Sequence, residues 1–592
     1  MPNTPENPLQ PTQDDRSFDD LAEKLFTPPR RDWSYYLVLV LAVLPLWSVV
    51  PLSWAFVLYA LRTGAIWSFG VKGWALFAGA LVEAGQSHRT TVIRRLTQTV
   101  HQFNLSRWID RSPPPPSPYK YSELLTAFKR ILQSGLADLP EYGYDEEDVG
   151  RPGSPDEELV QLDYSDPRAV DFRNYIRTWF GKVQWSSIHR NEMYAWLCWA
   201  IFNEPFTTLE ALPAARREVL REVLSMIEKR AGSAMPGGSN PDVKPLLLTL
   251  DPVSVSWRPF FWYAGVALSN AYVRYSFKRN WNATIATYNG LQYILRIPRT
   301  WSAEKGHRPV VFLHGLGLGL TQYKLFLNHM LQEIPDRPIL IPLQPHVSQE
   351  IFSSRFFEPM NRRATTVTIA ELLEELGWAK RRDENGEVPV PEDGASLGVT
   401  VVSHSNGSFI HSWMLKAFPE LISRSCFIDP VIFCSWEGDL CYNFVYRRPT
   451  NAMELVMKYF VGSELGVANF LQRHFDWNAN ALWYEEIPDA RDPAKAMFFL
   501  GGKDAIVDAS VRVFLRSALA HPADRPYERQ RVKRYLTSHG IRDGLWFDPC
   551  GRHGQALLRG GQGHREILRW LREPGYRCAP YADPAKTRAV AS

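Results

Sequence analysis

Residues 401–408 read VVSHSNGS, and this stretch decides the fold of the chain. Its first residues are apolar, as in a buried strand, and small residues stand two positions before and two positions after Ser405. A sharp turn from a strand into a helix needs small residues there because the two backbones approach closely. Gly407 is the glycine usual at the later position, whereas Ser403 replaces the glycine usual at the earlier one. The stretch therefore predicts a nucleophile elbow that presents the Ser405 hydroxyl at the start of a helix.

Short apolar runs alternate with helical patterns on both sides of this elbow. The runs at 309–313, 338–343 and 398–403 are typical of buried strands, and helical patterns separate them. Two alternating runs upstream flank Asn289-Gly290, which is a strong signal for a β-hairpin. Strands that alternate with helices predict a parallel α/β sheet.

The strand at 309–313 is followed by the loop His314-Gly315-Leu316-Gly317. With this loop and the elbow in one strand–helix pattern, residues from about Ala283 to Arg572 resemble the α/β-hydrolase superfamily. The resemblance implies a mostly parallel sheet with a helical cap. It also implies an oxyanion hole made by the backbone N–H groups of Leu316 and Asn406, which the glycines of the loop and the elbow support.

In that superfamily the acid and the histidine follow the nucleophile in the chain, in that order. Asp504 stands in the turn after the strand-like run 496–500, which is the usual place of the acid. Asp429, after the preceding strand, and Asp508 are the alternatives.

The base is expected in the turn after the last strand. His553 is the one histidine in the turn 548–553 that follows residues 544–547. His564 is the second candidate, but it stands at the start of the last helix, where the helix dipole lowers the proton affinity that a base needs.

About 60 residues, Cys434 to Asp492, lie between the strand that contains Asp429 and the strand before Asp504. Their pattern is helical and aromatic, and superfamily members carry a cap over the active site at this insertion point. A cap excludes water and supplies a pocket for an apolar group. His474 lies in this cap and precedes the acid in the chain, so we interpret it as a structural residue.

The amino-terminal part predicts a membrane segment. We expect residues 1–32 to form a mobile tail. Trp33 to Leu61 then run for 29 residues without a charge, where a spanning helix needs about 20. Residues 63–82 are apolar apart from Lys72 and are either interfacial or the return leg of a hairpin. We therefore predict an anchor over residues 33–85 with one or two spans. The alternative is a buried helix pair of a soluble protein.

The anchor is followed by a predicted helical region, 86–280, and by the hydrolase-like domain, 281–592. The stretches Asp429-Pro430-Val431 and Cys441-Tyr442-Asn443-Phe444 resemble fungal α/β-hydrolases that carry an amino-terminal membrane segment and a long helical region. That resemblance brings no substrate with it.

Composition excludes several other classes of function. The 592 residues include 67 basic and 63 acidic side chains, and this balance gives no electrostatic case for nucleic acid. Six cysteines are too few for a disulfide scaffold, and their spacing does not suggest a metal site. We expect no cofactor.

The residues together predict a membrane-associated serine hydrolase that cleaves an ester, with an apolar acyl ester and the lipid bilayer as its partners. An acyltransferase with the same triad and a non-catalytic membrane scaffold with this fold remain as alternatives. Neither the substrate nor the membrane side follows from the sequence.

Overall fold

The structure is a computed structural model, and it describes residues 30–84, 127–132, 159–256, 258–303, 306–382, 398–506, 531–541 and 543–576. Most of the predicted tail, part of the predicted helical region and Asp508 lie outside the described residues.

Within the described ranges, eight strands form one sheet in the order β1-β2-β4-β3-β5-β6-β7-β8. Strand β2 is antiparallel to both of its neighbours, and the pairs from β4 through β8 are parallel. The strands are β1 Thr284–Tyr288, β2 Leu291–Arg296, β3 Val310–Leu313, β4 Ile339–Pro342, β5 Val399–His404, β6 Ile422–Ile428, β7 Ala496–Gly501 and β8 Leu545–Asp548.

This sheet confirms the predicted fold class, a mostly parallel α/β-hydrolase sheet. The predicted hairpin joins β1 to β2, and both of its turn residues, Asn289 and Gly290, have a positive φ, as a type I′ turn requires. Since β5 to β8 run parallel, their carboxyl ends meet at one edge of the sheet. The turns after these strands, which carry the predicted site residues, therefore lie next to one another.

Helices cover both faces of the sheet. They are α1 Trp33–Val38, α2 Leu44–Thr63, α3 Pro167–Arg177, α4 Arg190–Phe202, α5 Ala214–Ala231, α6 Phe260–Trp281, α7 Lys324–Glu333, α8 Arg362–Glu375, α9 Gly407–Ala417, α10 Gly438–Cys441, α11 Ala452–Met457, α12 Leu465–Arg473, α13 Trp477–Asn480, α14 Arg531–Ser538 and α15 Gln562–Arg572. One buried apolar cluster joins α3–α5, the 434–492 insertion and one side of the sheet. A second cluster joins the other side of the sheet to α6, α7 and α15.

Helices α1 and α2 are continuous through a π-helical turn, Leu39–Val43. Together they make one helix, Trp33–Thr63, that is long and apolar enough to cross a membrane. Within its most apolar 18 residues, 17% are buried by the rest of the protein. Residues 71–84 are also helical. Val57 and Ala60 of α2 pack against Phe77 and Ala80 of this second helix, so the second apolar stretch returns along the first as a helical hairpin.

The hairpin is attached to the rest of the chain at both ends. The backbone N–H of Asp32 donates to the Thr450 carbonyl at 2.9 Å, just before α11. Tyr35 and Val43 pack on Leu455 and Tyr459 of the 434–492 insertion. At the other end, the Glu83 carboxylate accepts hydrogen bonds from the first two backbone N–H groups of α6 at 2.9 and 3.2 Å. The apolar hairpin therefore contacts the predicted cap directly.

Candidate active site

Ser405 lies in the turn between β5 and α9 with a φ of 51°, a left-handed conformation that ordinary residues rarely adopt. A Cβ atom on Gly407 would lie 2.2 Å from the Leu313 carbonyl oxygen, and one on Gly315 would lie 2.9 Å from the Ser405 Cβ. The elbow needs glycine at 407 and the adjacent 314–317 loop needs glycine at 315, because a side chain at either position would collide with the neighbouring backbone or with Ser405.

Ser403, which replaces the usual glycine, is fully buried and is held in a chain of hydrogen bonds. Its hydroxyl lies 2.9 Å from His411 Nδ1, and His411 Nε2 lies 3.1 Å from the Ser425 hydroxyl on β6. Burial lowers the pKa of His411 to about 3, so this imidazole is neutral and bridges the two hydroxyls. A glycine at position 403 would leave His411 Nδ1 without the Ser403 hydroxyl as its hydrogen-bond partner.

The structure brings the three predicted triad residues into one hydrogen-bonded chain. His553 Nε2 lies 2.9 Å from the Ser405 Oγ, and His553 Nδ1 lies 2.6 Å from Asp504 Oδ2. The other carboxylate oxygen of Asp504 accepts the backbone N–H of Ile506 at 2.8 Å. The side chains follow β5, β7 and β8, so their proximity results from the parallel order of these strands.

Asp429, the alternative acid, has a different set of partners. It follows β6 with a φ of 42°. Its Oδ1 accepts the backbone N–H of Gly501 at 3.0 Å, and its Oδ2 accepts that of Gly554 at 2.7 Å. Asp429 therefore joins the turn that carries Asp504 to the turn that carries His553. Sequence reasoning missed this positioning role.

Burial and neighbouring carboxylates shift the proton affinities at this site. Burial, and then the charge of Asp504, raises the pKa of Asp429 to about 7. Burial also lowers the pKa of His553, but the charge and hydrogen bond of Asp504 and the charge of Asp429 more than offset this and raise it to about 9. An imidazolium at His553 is therefore stabilised by two carboxylates.

His564, the second candidate base, has hydrogen-bond partners other than Ser405. His564 Nε2 lies 2.6 Å from His329 Nδ1, and His564 Nδ1 lies 3.0 Å from the Leu557 carbonyl. Burial lowers the pKa of His564 and lowers that of His474 to about 4. His474 directly follows α12 of the insertion, so it belongs to the predicted cap and not to the turn that carries His553.

The two residues predicted to supply the oxyanion hole, Leu316 and Asn406, line the same pocket as Ser405. Among the hydrogen bonds of the described residues, neither the Leu316 nor the Asn406 backbone N–H has an acceptor. The Gly317 N–H, by contrast, donates to the Val347 carbonyl at 3.0 Å. His314 Nε2 accepts the Gln344 backbone N–H at 3.2 Å, which ties this loop to the end of β4.

Tyr323 and His404 also support the elbow, and the sequence analysis did not identify them. The Tyr323 hydroxyl accepts the Gly315 backbone N–H at 2.9 Å and lies 2.6 Å from His404 Nδ1. The centres of the His404 and His553 rings are 5.2 Å apart. Burial holds the pKa of His404 well below its usual value. A neutral His404 therefore packs beside the predicted base without adding charge.

A pocket opens beside Ser405, and we call it the acyl pocket. It holds about 460 Å³ of space, including its open mouth. Apart from Ser405 and Asn406, its lining is almost entirely apolar, from Leu248, Leu316, Phe409, Val431, Leu440, Cys441, Phe444, Val445, Leu471, Phe475 and Ile506. Six of these residues belong to the 434–492 insertion, so the insertion forms one wall of the pocket.

The same cluster offers potential metal ligands. Within the described ranges, ligating atoms of Asp429, Asp504 and His553 all lie within 4.8 Å of one another. Both Asp429 oxygens accept backbone N–H groups, and both His553 nitrogens lie within hydrogen-bonding distance of Asp504 or Ser405. These atoms therefore fit a proton-transfer chain better than a metal coordination sphere.

No protein-family model matches the chain, and no curated protein matches it. Among solved structures, a predicted CIB-like hydrolase from Thermoplasma acidophilum is 12% identical and covers 49% of this chain and 97% of its own, with a TM-score of 0.27. An α/β-hydrolase enzyme from a Medee basin deep-sea metagenome is 14% identical, with coverages of 51% and 100% and a TM-score of 0.30. A bacterial membrane phospholipase A is 12% identical, with coverages of 52% and 93% and a TM-score of 0.28. The resemblance to fungal proteins stays a prediction.

The chain's own sheet identifies the fold. The strand order 1-2-4-3-5-6-7-8 with an antiparallel second strand places an elbow serine after β5. An aspartate follows β7 and a histidine follows β8. In its carboxyl-terminal half, this protein has the α/β-hydrolase fold.

Proposed function

We propose that this protein is a membrane-associated serine hydrolase that cleaves an ester of an apolar acyl group. The observation that carries the proposal is the hydrogen-bonded chain from Asp504 through His553 to Ser405, with distances of 2.6 and 2.9 Å. A serine hydroxyl is a weak nucleophile unless an adjacent base removes its proton, and this arrangement supplies the base and a carboxylate that orients it.

In the proposed reaction, His553 Nε2 takes the proton of Ser405 as the Oγ attacks the ester carbonyl. The carbonyl oxygen gains a negative charge, and the Leu316 and Asn406 backbone N–H groups donate hydrogen bonds to it. The imidazolium then gives its proton to the departing alcohol. Water, activated by the same imidazole, releases the acyl group from Ser405.

The acyl pocket supports an apolar acyl group as the part of the substrate bound beside Ser405. Phe444 and Val445 of its wall belong to a π-helical turn, Tyr442–Tyr446. The Lys458 ammonium donates to the Val445 carbonyl, and the next residue, Tyr459, packs on α1 and the π-turn that follows it. A continuous set of contacts thus connects the pocket wall to the apolar hairpin, which supports a lipid ester drawn from the membrane.

The proposal is tested with full-length protein in detergent and nitrophenyl esters of short and long acyl chains. We expect wild-type protein to hydrolyse them and Ser405→Ala to lose activity by several orders of magnitude. Ser412→Ala is the matched control, because Ser412 is a buried serine of α9 whose hydroxyl has no partner in the described structure. Full activity in Ser405→Ala, or equal loss in both variants, would contradict the proposal.

An added alcohol distinguishes transfer from hydrolysis in the same assay. A hydrolase releases the free acid at an unchanged rate when glycerol is present. An acyltransferase forms the glycerol ester in its place.

A further inference from the structure

A second cavity begins on the other side of Asn406, and we call it the hairpin cavity. It holds about 870 Å³ of space, including its open mouth. Its walls are the β1–β2 hairpin, the loop Gln344–His346, residues 353–360 and the first turns of α9. Asn406 and Phe409 line both this cavity and the acyl pocket. The two spaces therefore meet beside the residue that follows Ser405.

The hairpin cavity has a positively charged lining. Arg355 is the one side chain lining it that is charged at neutral pH, and no carboxylate lines it. Burial lowers the pKa of His346, which also lines it, to about 3, so this imidazole is neutral. A cavity with one guanidinium and no acid favours an anion.

Arg355 has no protein partner for its guanidinium among the described residues. A Cβ atom on Gly290 would lie 2.7 Å from Arg355 Nη2, so the glycine of the hairpin turn leaves room for this group. Most partly buried arginines elsewhere in the described structure bond to carboxylates or carbonyls, as Arg274 does to Glu350 at 2.6 Å. A planar guanidinium without such a partner matches the oxygens of a phosphate or a carboxylate.

Asn406 provides a second, independent indication that a polar ligand binds here. Its side chain is 2% exposed, and its Oδ1 has no hydrogen-bond partner. An unpaired acceptor buried in a protein is costly, and a ligand hydroxyl would satisfy it. Because Asn406 lines both spaces, this acceptor lies between the acyl pocket and the cavity of Arg355.

We propose that the hairpin cavity binds the alcohol part of the ester, and that this alcohol carries an anionic phosphate or carboxylate which Arg355 holds. This inference rests on the proposed function and narrows its substrate class. The acyl chain occupies the acyl pocket, the ester carbonyl lies at Ser405, and the anionic alcohol extends past Asn406.

The test compares three esters with the same acyl chain and with an alcohol that carries a phosphate, a carboxylate or no charge. In full-length protein, we expect Arg355→Gln to raise KM for the charged esters about tenfold, with kcat and the neutral ester little changed. Arg363→Gln is the control, because it removes the same charge from an exposed side chain that does not line the cavity. A KM that rises for one charged ester alone identifies its anion as the one bound.

An equal loss for charged and neutral esters, or no loss at all, would overturn the anion site while leaving the hydrolase proposal intact. If wild-type protein cleaves none of the esters, the proposed function fails and inorganic phosphate becomes the probe. Phosphate should then raise the melting temperature of Ser405→Ala and leave that of Ser405→Ala combined with Arg355→Gln unchanged. Equal stabilisation of both proteins, or of neither, would refute the site.

Discussion

Replacing Asp429 with asparagine should move the pH dependence of ester cleavage to lower pH. Asp429 holds the two turns that carry Asp504 and His553, through Gly501 and Gly554, and its charge helps to raise the pKa of His553 to about 9. The base must be neutral to accept the Ser405 proton, so wild-type activity should rise as the pH approaches that value. Asparagine removes the charge and keeps an oxygen that accepts one of the two N–H groups.

The separation of the groups sets the size of the effect. Ligating atoms of Asp429 and His553 lie within 4.8 Å of each other. At that distance two unit charges interact by about 1 kcal/mol at the dielectric constant of water and by about 3.5 kcal/mol at an effective value near 20. One pKa unit corresponds to about 1.4 kcal/mol, so the His553 pKa should fall by roughly 0.6 to 2.5 units, and we expect about one to two.

The assay is kcat/KM for a neutral nitrophenyl ester from about pH 5 to 10, the range over which an imidazole titrates. Asp429→Asn should shift the acidic limb to lower pH, so that at pH 7 the variant retains a larger share of its own maximum than wild type does. Asp489→Asn is the control, because it removes the same charge from a carboxylate that is 65% exposed. An unshifted limb, or a shift to higher pH, would refute the electrostatic reasoning. A larger loss of maximal rate than in Asp504→Asn would make Asp429 the acid.

The other predictions concern the acid, the elbow and the anchor. Asp504→Asn should keep its circular dichroism spectrum and lose about 10³- to 10⁴-fold in kcat; a variant with more than a tenth of the wild-type rate would remove Asp504 from the triad. Gly407→Ala should lower the melting temperature by several degrees, because its Cβ would lie 2.2 Å from the Leu313 carbonyl oxygen, whereas Gly237→Ala, with nothing within 4 Å, should not; equal melting of the two would contradict the close approach. Full-length protein should stay in the membrane pellet on carbonate extraction because Trp33–Thr63 is long and apolar enough to span; a soluble, folded and active protein would make this helix a packing element.

The parts of the fold that the sequence predicted depend on short-range patterns. Residues 401–408 include both the end of the apolar strand and the small residues of the turn, so the elbow could be predicted from eight neighbouring positions. The order of Ser405, Asp504 and His553, each after a strand-like run, was sufficient to predict that a parallel sheet would bring them together. The hairpin at Asn289-Gly290 was predictable because I′ turns strongly select this pair.

The parts that the sequence did not predict depend on contacts between distant positions. Asp429 accepts N–H groups from residues 72 and 125 positions away, and no local pattern marks a carboxylate for that role. The pairing of Ser403 with His411 across the first turns of α9 required the geometry of the elbow. The packing of Tyr35 on Leu455 joins the apolar hairpin to an insertion more than 400 residues later. Such pairings depend on tertiary packing, which single-sequence periodicity does not encode.

Covalent labelling shows directly whether Ser405 is the nucleophile of a hydrolase. Full-length protein is treated with a fluorophosphonate, digested, and analysed by mass spectrometry to locate the phosphonyl group. We expect one adduct, on Ser405, in wild type and in Ser412→Ala, and none in Ser405→Ala. Folded wild-type protein without an adduct, or an adduct that persists in Ser405→Ala, would contradict it.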